Sequence, residues 1–158
     1  MMPGLIRWLA LAALVVVLDQ ASKLWILGSL RLFETLQVTS FFNLVLVLNS
    51  GAAFSFLAGA GGWQKWFFVG LALVICTWLL GLLRRHAAER LLPAALSLIL
   101  GGALGNVIDR LRFDAVVDFL DFYAAGYHWP AFNVADSAIT VGVGLMLLHQ
   151  FLCGKDAK

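Results

Sequence analysis

Six aspartates, Asp19, Asp109, Asp114, Asp118, Asp121 and Asp136, are the residues most able to do chemistry in a chain with few charges. Two carboxyl groups held a few ångström apart cannot both ionise easily, so one keeps its proton. The ionised partner can then take a proton from water while the neutral one polarises a scissile carbonyl, which is aspartic protease chemistry and needs no cofactor. Other chemistries fit the residues poorly. His86 and His149 fall at the opposite end of the chain's helices from the acids, leaving only His128 to serve a nucleophile. No HExxH motif is present and no two histidines share a helical face beside the acids, so no metal site is expected. Cys76 and Cys153 sit inside apolar runs and read as small buried hydrophobes.

What must position these acids is a set of apolar helices. Of 158 residues, 62% are hydrophobic and 13% charged, with a net charge of +2 and a mean hydropathy of +0.92. That balance excludes a soluble globular domain, a disordered chain, a disulfide scaffold and a nucleic-acid module. A span needs about 20 apolar residues. Four such stretches are expected at 5–30, 63–83, 91–108 and 133–152, with Pro93 tolerated in the first turn of the third. The fold class implied is an all-α membrane protein, a bundle of four transmembrane helices in one domain with a small extracytoplasmic β segment. That segment lies in the first outer connection, 31–62. Its branched and aromatic content between 36 and 48 predicts strand, followed by turn residues Asn49-Ser50-Gly51. The second outer connection, 111–132, mixes aromatics with Asp114, Asp118 and Asp121 and is expected as a loop along the membrane interface.

Lysine and arginine concentration in the tight connection from Arg84 to Arg90 places that loop, and with it both termini, in the cytoplasm. Seven of the nine acids then lie toward the outer face. A cleaved signal peptide at the N-terminus is disfavoured, because no small-x-small site follows Leu18. The plain alternatives for the acids are structural. Asp19 stands four residues before Lys23, the favourable order for a helical ion pair, and Asp109 could pair with Arg110. Asp136 reads as functional, since Asn133 at the mouth of the fourth span could cap the helix and leave Asp136 free of that task. Spacing alone does not choose its partner among Asp114, Asp118 and Asp121, although Asp118 is embedded in apolar neighbours that would raise its pKa. Gly101 and Gly105 permit close helix approach, with Ala138 and Gly142 as a similar stripe. Most of the tryptophans fall near span ends, as belt anchors do.

Taken together, five motifs resemble the bacterial lipoprotein signal peptidases, or signal peptidase II family, across nearly the whole chain. They are Asp19-Gln20-Ala21-Ser22-Lys23, Asn49-Ser50-Gly51-Ala52-Ala53-Phe54, the run from Gly101 to Arg110, Val116-Val117-Asp118-Phe119, and the run from Phe132 to Ser137. Ser50 departs from a frequent threonine but keeps the hydroxyl. The resemblance implies that Asp118 and Asp136 are the catalytic dyad, braced by Asp19, Lys23, Asn49, Gly51, Asn106, Asp109, Arg110, Asn133 and Ala135, with no cofactor. It implies lipid-modified prolipoproteins as substrates, cut just before the diacylglyceryl cysteine. Membrane lipids are the other partners. The expected place is the inner membrane with the site near the periplasmic face, and one chain suffices. The outer segment is expected to act as a cradle and the 111–132 connection as a cover. A transporter is the main rival, but transport sites are expected near the mid-plane, where no charge is placed. A non-catalytic assembly subunit leaves the outer acids without a role.

Overall fold

The computed structural model describes residues 3–51 and 63–153. The order of elements is α1 (Pro3–Ser29), β1 (Thr35–Gln37), β2 (Phe42–Asn49), α2 (Trp63–Arg85), α3 (Leu91–Phe113), β3 (Val116–Ala124), β4 (Tyr127–His128) and α4 (Val134–Cys153). All four helices are long and apolar enough to cross a membrane. Backbone groups in lipid must bond internally, which a helix does by itself. Leu14, Val17, Val74, Trp78, Leu147 and Phe151 are exposed on the bundle's outside, where surrounding hydrocarbon is as apolar as they are.

The central element is α3, the most buried of the four, packed on α1, α2 and α4. Its small residues make that position possible. A side chain at Gly101 would meet the carbonyl of Ala12 and Val15 in α1, and one at Gly102 would meet the Ala135 carbonyl in α4. The expected Gly101 and Gly105 pair therefore lies against α1, at Ala12, Val15 and Asp19, while Gly102, outside that pair, turns to α4. Gly142 continues the α4 side against Ala95 and Ile99.

The sheet is antiparallel throughout, in the order β1-β2-β3-β4. Here the structure departs from the sequence reading of 111–132 as a loop. Helix α3 runs on past 108 to Phe113 and stops where Asp114 turns left-handed at φ 60. After Ala115, the nine residues Val116–Ala124 form β3. The branched and aromatic residues of this stretch gain a full ladder of partners on β2, which a surface loop would not give. The register slips between Leu44 and Val47, so that Asp118 stands opposite Val47 while Asp121 stands opposite Asn43. Such irregularities re-aim side chains beside functional sites.

Candidate active site

Strand parity separates the acids of β3. Side chains three positions apart leave opposite faces of a strand, and Asp118 and Asp121 obey this. Asp118 is 2% exposed and turns toward the start of α4, where its Oδ1 accepts from Asn133 Nδ2 at 2.7 Å, while its Oδ2 accepts from Asn49 Nδ2 at the end of β2 at 3.0 Å. Asp121 turns away to Asn43 and His128. Asp114 sits at the α3 terminus and pairs with Lys65 at 2.6 Å. Of the three acids that spacing left open, Asp118 is the one that shares Asn133 with Asp136 and feels its charge. His128 bonds to Asp121 and does not reach this pair.

Asp136 arrives through the cap of α4. Asn133 Oδ1 accepts from the Asp136 backbone N–H at 2.9 Å, the N-cap bond that satisfies an otherwise orphaned donor. The same amide's nitrogen holds the Asp118 carboxylate, so one asparagine ties that carboxylate to the backbone of Asp136. Asn106 of α3 completes the frame: its Nδ2 donates to Asp136 Oδ1 at 2.8 Å and its Oδ1 accepts from Lys23 Nζ at 3.1 Å.

Behind this layer lies a buried ion cluster. Lys23 is 1% exposed, with Nζ 2.8 Å from Asp19 Oδ2 and 2.7 Å from Asp109 Oδ2. The Asp19–Lys23 pair expected from helical spacing is present, but it is one half of a larger device. Asp109 does not pair with Arg110 as anticipated. Adjacent residues of a helix point about 100° apart and do not face each other, so Asp109 turns inward to Lys23 and to the Val117 N–H at 3.1 Å. Asp19 Oδ1 accepts from the Ala135 N–H at 2.9 Å, and Gly105 leaves room for its carboxylate. Four elements, α1, α3, β3 and α4, are thus tied at one depth. Gln20 joins the cluster by donating to Asp109 Oδ1 at 2.8 Å. It stood inside a quoted motif without being assigned a place.

Arg110 lies on the other side of α3, donating to the Asn106 carbonyl at 3.2 Å, within electrostatic reach of Asp136 and Asp118. Its guanidinium stacks over Phe68 at 5.3 Å. Phe68 also backs Gly51, whose φ of 90 and close ring contact leave no space for a side chain. Asn49 Oδ1 accepts from the Gly51 N–H at 2.9 Å, which aims its Nδ2 at Asp118. Phe68 was missed from sequence because an aromatic in an apolar helix carries no signal of its contacts.

The surroundings push the Asp118 carboxyl up to about 6, through burial and the Asp136 charge, against the donors Asn49 and Asn133 and the charge of Lys23. Asp136 is half-buried and lies on the wall of a largely apolar groove of about 560 Å³, formed with Trp129, Pro130, Phe132, Ser137 and Thr140. Among the described residues no group of three or more His, Cys, Asp or Glu side chains is placed to hold a metal ion.

The chain is similar to known proteins. The family model described as signal peptidase (SPase) II matches residues 11–152. A lipoprotein signal peptidase of Azoarcus sp. (strain BH72) is 62% identical over 152 residues, covering 96% of this chain and 86% of that protein. One of Cupriavidus necator is 60% identical over 143 residues, covering 90% and 82%. A bacterial membrane enzyme solved by the in meso method at 2.3 Å is similar in structure, with a TM-score of 0.84 and 32% identity over 96% of this chain and 92% of that one.

Proposed function

Because this chain belongs to the signal peptidase II family and is therefore a membrane-embedded protease, we propose that it is an aspartic endopeptidase whose dyad is Asp118 and Asp136. It removes the signal peptide from prolipoproteins by cutting just before the diacylglyceryl-modified cysteine. The observation that carries this reading is the position of Asn133, which bonds the Asp118 carboxylate and caps the backbone of Asp136. One side chain thereby ties the Asp118 carboxylate of β3 to the Asp136 backbone at the start of α4.

Asp118 is the carboxyl whose burial favours the proton. Asp136, on the groove wall, is the one placed to take a proton from water. Water then attacks the scissile carbonyl while the protonated acid polarises the carbonyl oxygen, and the proton passes on to the leaving amine. Asn106, Asn133 and the Lys23 cluster hold the carboxylates in place so that little reorganisation accompanies the reaction. Arg110 adds positive potential beside the developing charge. The apolar groove suits the lipid-bearing end of a precursor, whose acyl chains can stay in the membrane. The site faces the periplasmic side of the inner membrane, both termini are cytoplasmic, and one chain is sufficient.

The test is an assay of detergent-purified Asp118→Asn and Asp136→Asn on a lipid-modified precursor. Each is expected to fold and insert while losing turnover. Near-normal cleavage by either variant would falsify the dyad.

A further inference from the structure

Between β3 and α4 the chain doubles back along the sheet. His128 pairs with Tyr123, Trp129 N–H donates to the Phe122 carbonyl at 2.8 Å, and Phe132 exchanges bonds with Leu120 at 2.8 and 3.1 Å. Pro130 in the middle has no N–H to give. This strap, residues 127–132, ends at Asn133. Its Trp129, Pro130 and Phe132 make one side of the groove, and Asp136, Ser137 and Thr140 of α4 make the other. The strap's position therefore sets the width of the groove beside Asp136.

Among the described residues one side-chain hydrogen bond ties the strap to the sheet. His128 Nδ1 stands 2.9 Å from each oxygen of Asp121. An ionised carboxylate only accepts, so Nδ1 carries the hydrogen. Asp121 is a built anchor: it is 6% exposed and its Oδ2 accepts from Asn43 Nδ2 at 2.8 Å. The imidazole also stacks on Tyr123, with centroids 5.1 Å apart and planes at 15°. A buried acid held from two sides, facing away from Asp118, has no part in the acid pair.

We propose that His128 is a positioning residue, fixed on Asp121, which holds the strap against β3 and so governs how tightly the groove takes the apolar part of the substrate. This rests on reading the groove as the substrate site and Asp136 as catalytic. In the full-length enzyme, His128→Ala is expected to raise KM about tenfold with kcat within about twofold, the loss of one hydrogen bond to a charged group. His128→Asn keeps a donor near the Nδ1 position and is expected to restore KM. Amide hydrogen exchange gives a second reading independent of turnover: Trp129 and Phe132 should exchange faster in His128→Ala and return to the wild-type rate in His128→Asn. An unchanged KM or unchanged exchange in His128→Ala, a loss confined to kcat, or no rescue by His128→Asn overturns the proposal. Failure of the functional reading is separate, appearing as turnover by Asp136→Asn while the exchange difference at the strap persists.

Discussion

Asn133 does two jobs, and substitutions can part them. Asn133→Asp retains a good cap for α4 but replaces the donor to Asp118 with an acceptor. It also buries a third carboxyl beside two others, so it is expected to lose most turnover and to unfold at a lower temperature at pH 7, the deficit shrinking as the pH falls and the new acid takes a proton. Asn133→Ala loses the cap as well, at a cost of about 1 kcal/mol. Thermal unfolding set beside precursor cleavage separates the two effects. Asn49 acts on the proton. Its donor pulls the Asp118 carboxyl down against burial, which leaves it at about 6. The Asp118 proton is present below that value and lost as pH rises through it, so under the proposed mechanism kcat/KM should fall on the alkaline side of an apparent pKa near 6. Removing the donor with Asn49→Ala moves the limb to higher pH. A limb that stays put or moves downward in the pH–rate profile contradicts the assignment.

The helices hold each other through an ion cluster and through small residues. Lys23 is the single cation between two buried carboxylates, and stripping one partner from a buried ion pair costs about 3–5 kcal/mol. Lys23→Met is therefore expected to lower the unfolding temperature far more than Asp19→Asn, which keeps an oxygen for the Ala135 N–H. Thermal unfolding in one detergent compares them directly, and equal effects count against the cluster. Gly102→Leu is expected to force α3 from α4 at the Ala135 carbonyl, pulling Asn106 from Asp136 and abolishing cleavage. On these elements the sequence was most legible in what is local. Apolar runs, the Asn133 cap and the Asp19 to Lys23 spacing all depend on near neighbours in the chain. Strand β3 was not legible, because its ladder is supplied by β2 from a distant stretch.

For the molecule as a whole, orientation is the property most open to a direct check. Cys76 is buried as its apolar run suggests, whereas Cys153, in the last turn of α4 beyond the packed part of the bundle, is exposed and not buried. With both termini cytoplasmic, a membrane-impermeant maleimide should label Cys153 only after spheroplasts are permeabilised and should leave Cys76 unmodified throughout. Labelling of Cys153 in intact spheroplasts reverses the topology. By itself the sequence determined that this chain spans a membrane, that its acids gather toward one end of the helices, and that its motifs are those of signal peptidase II. Hydrophobic length and short motifs are written along the chain, where no folding is needed to read them. Only the tertiary structure decided which partner each acid meets. Helix rotation sends Asp109 to Lys23 and not to Arg110, and strand parity sends Asp118 to Asn133 while Asp121 turns to His128. The direction of a side chain follows from how its element is rotated and registered against the others, and that is fixed only when they pack.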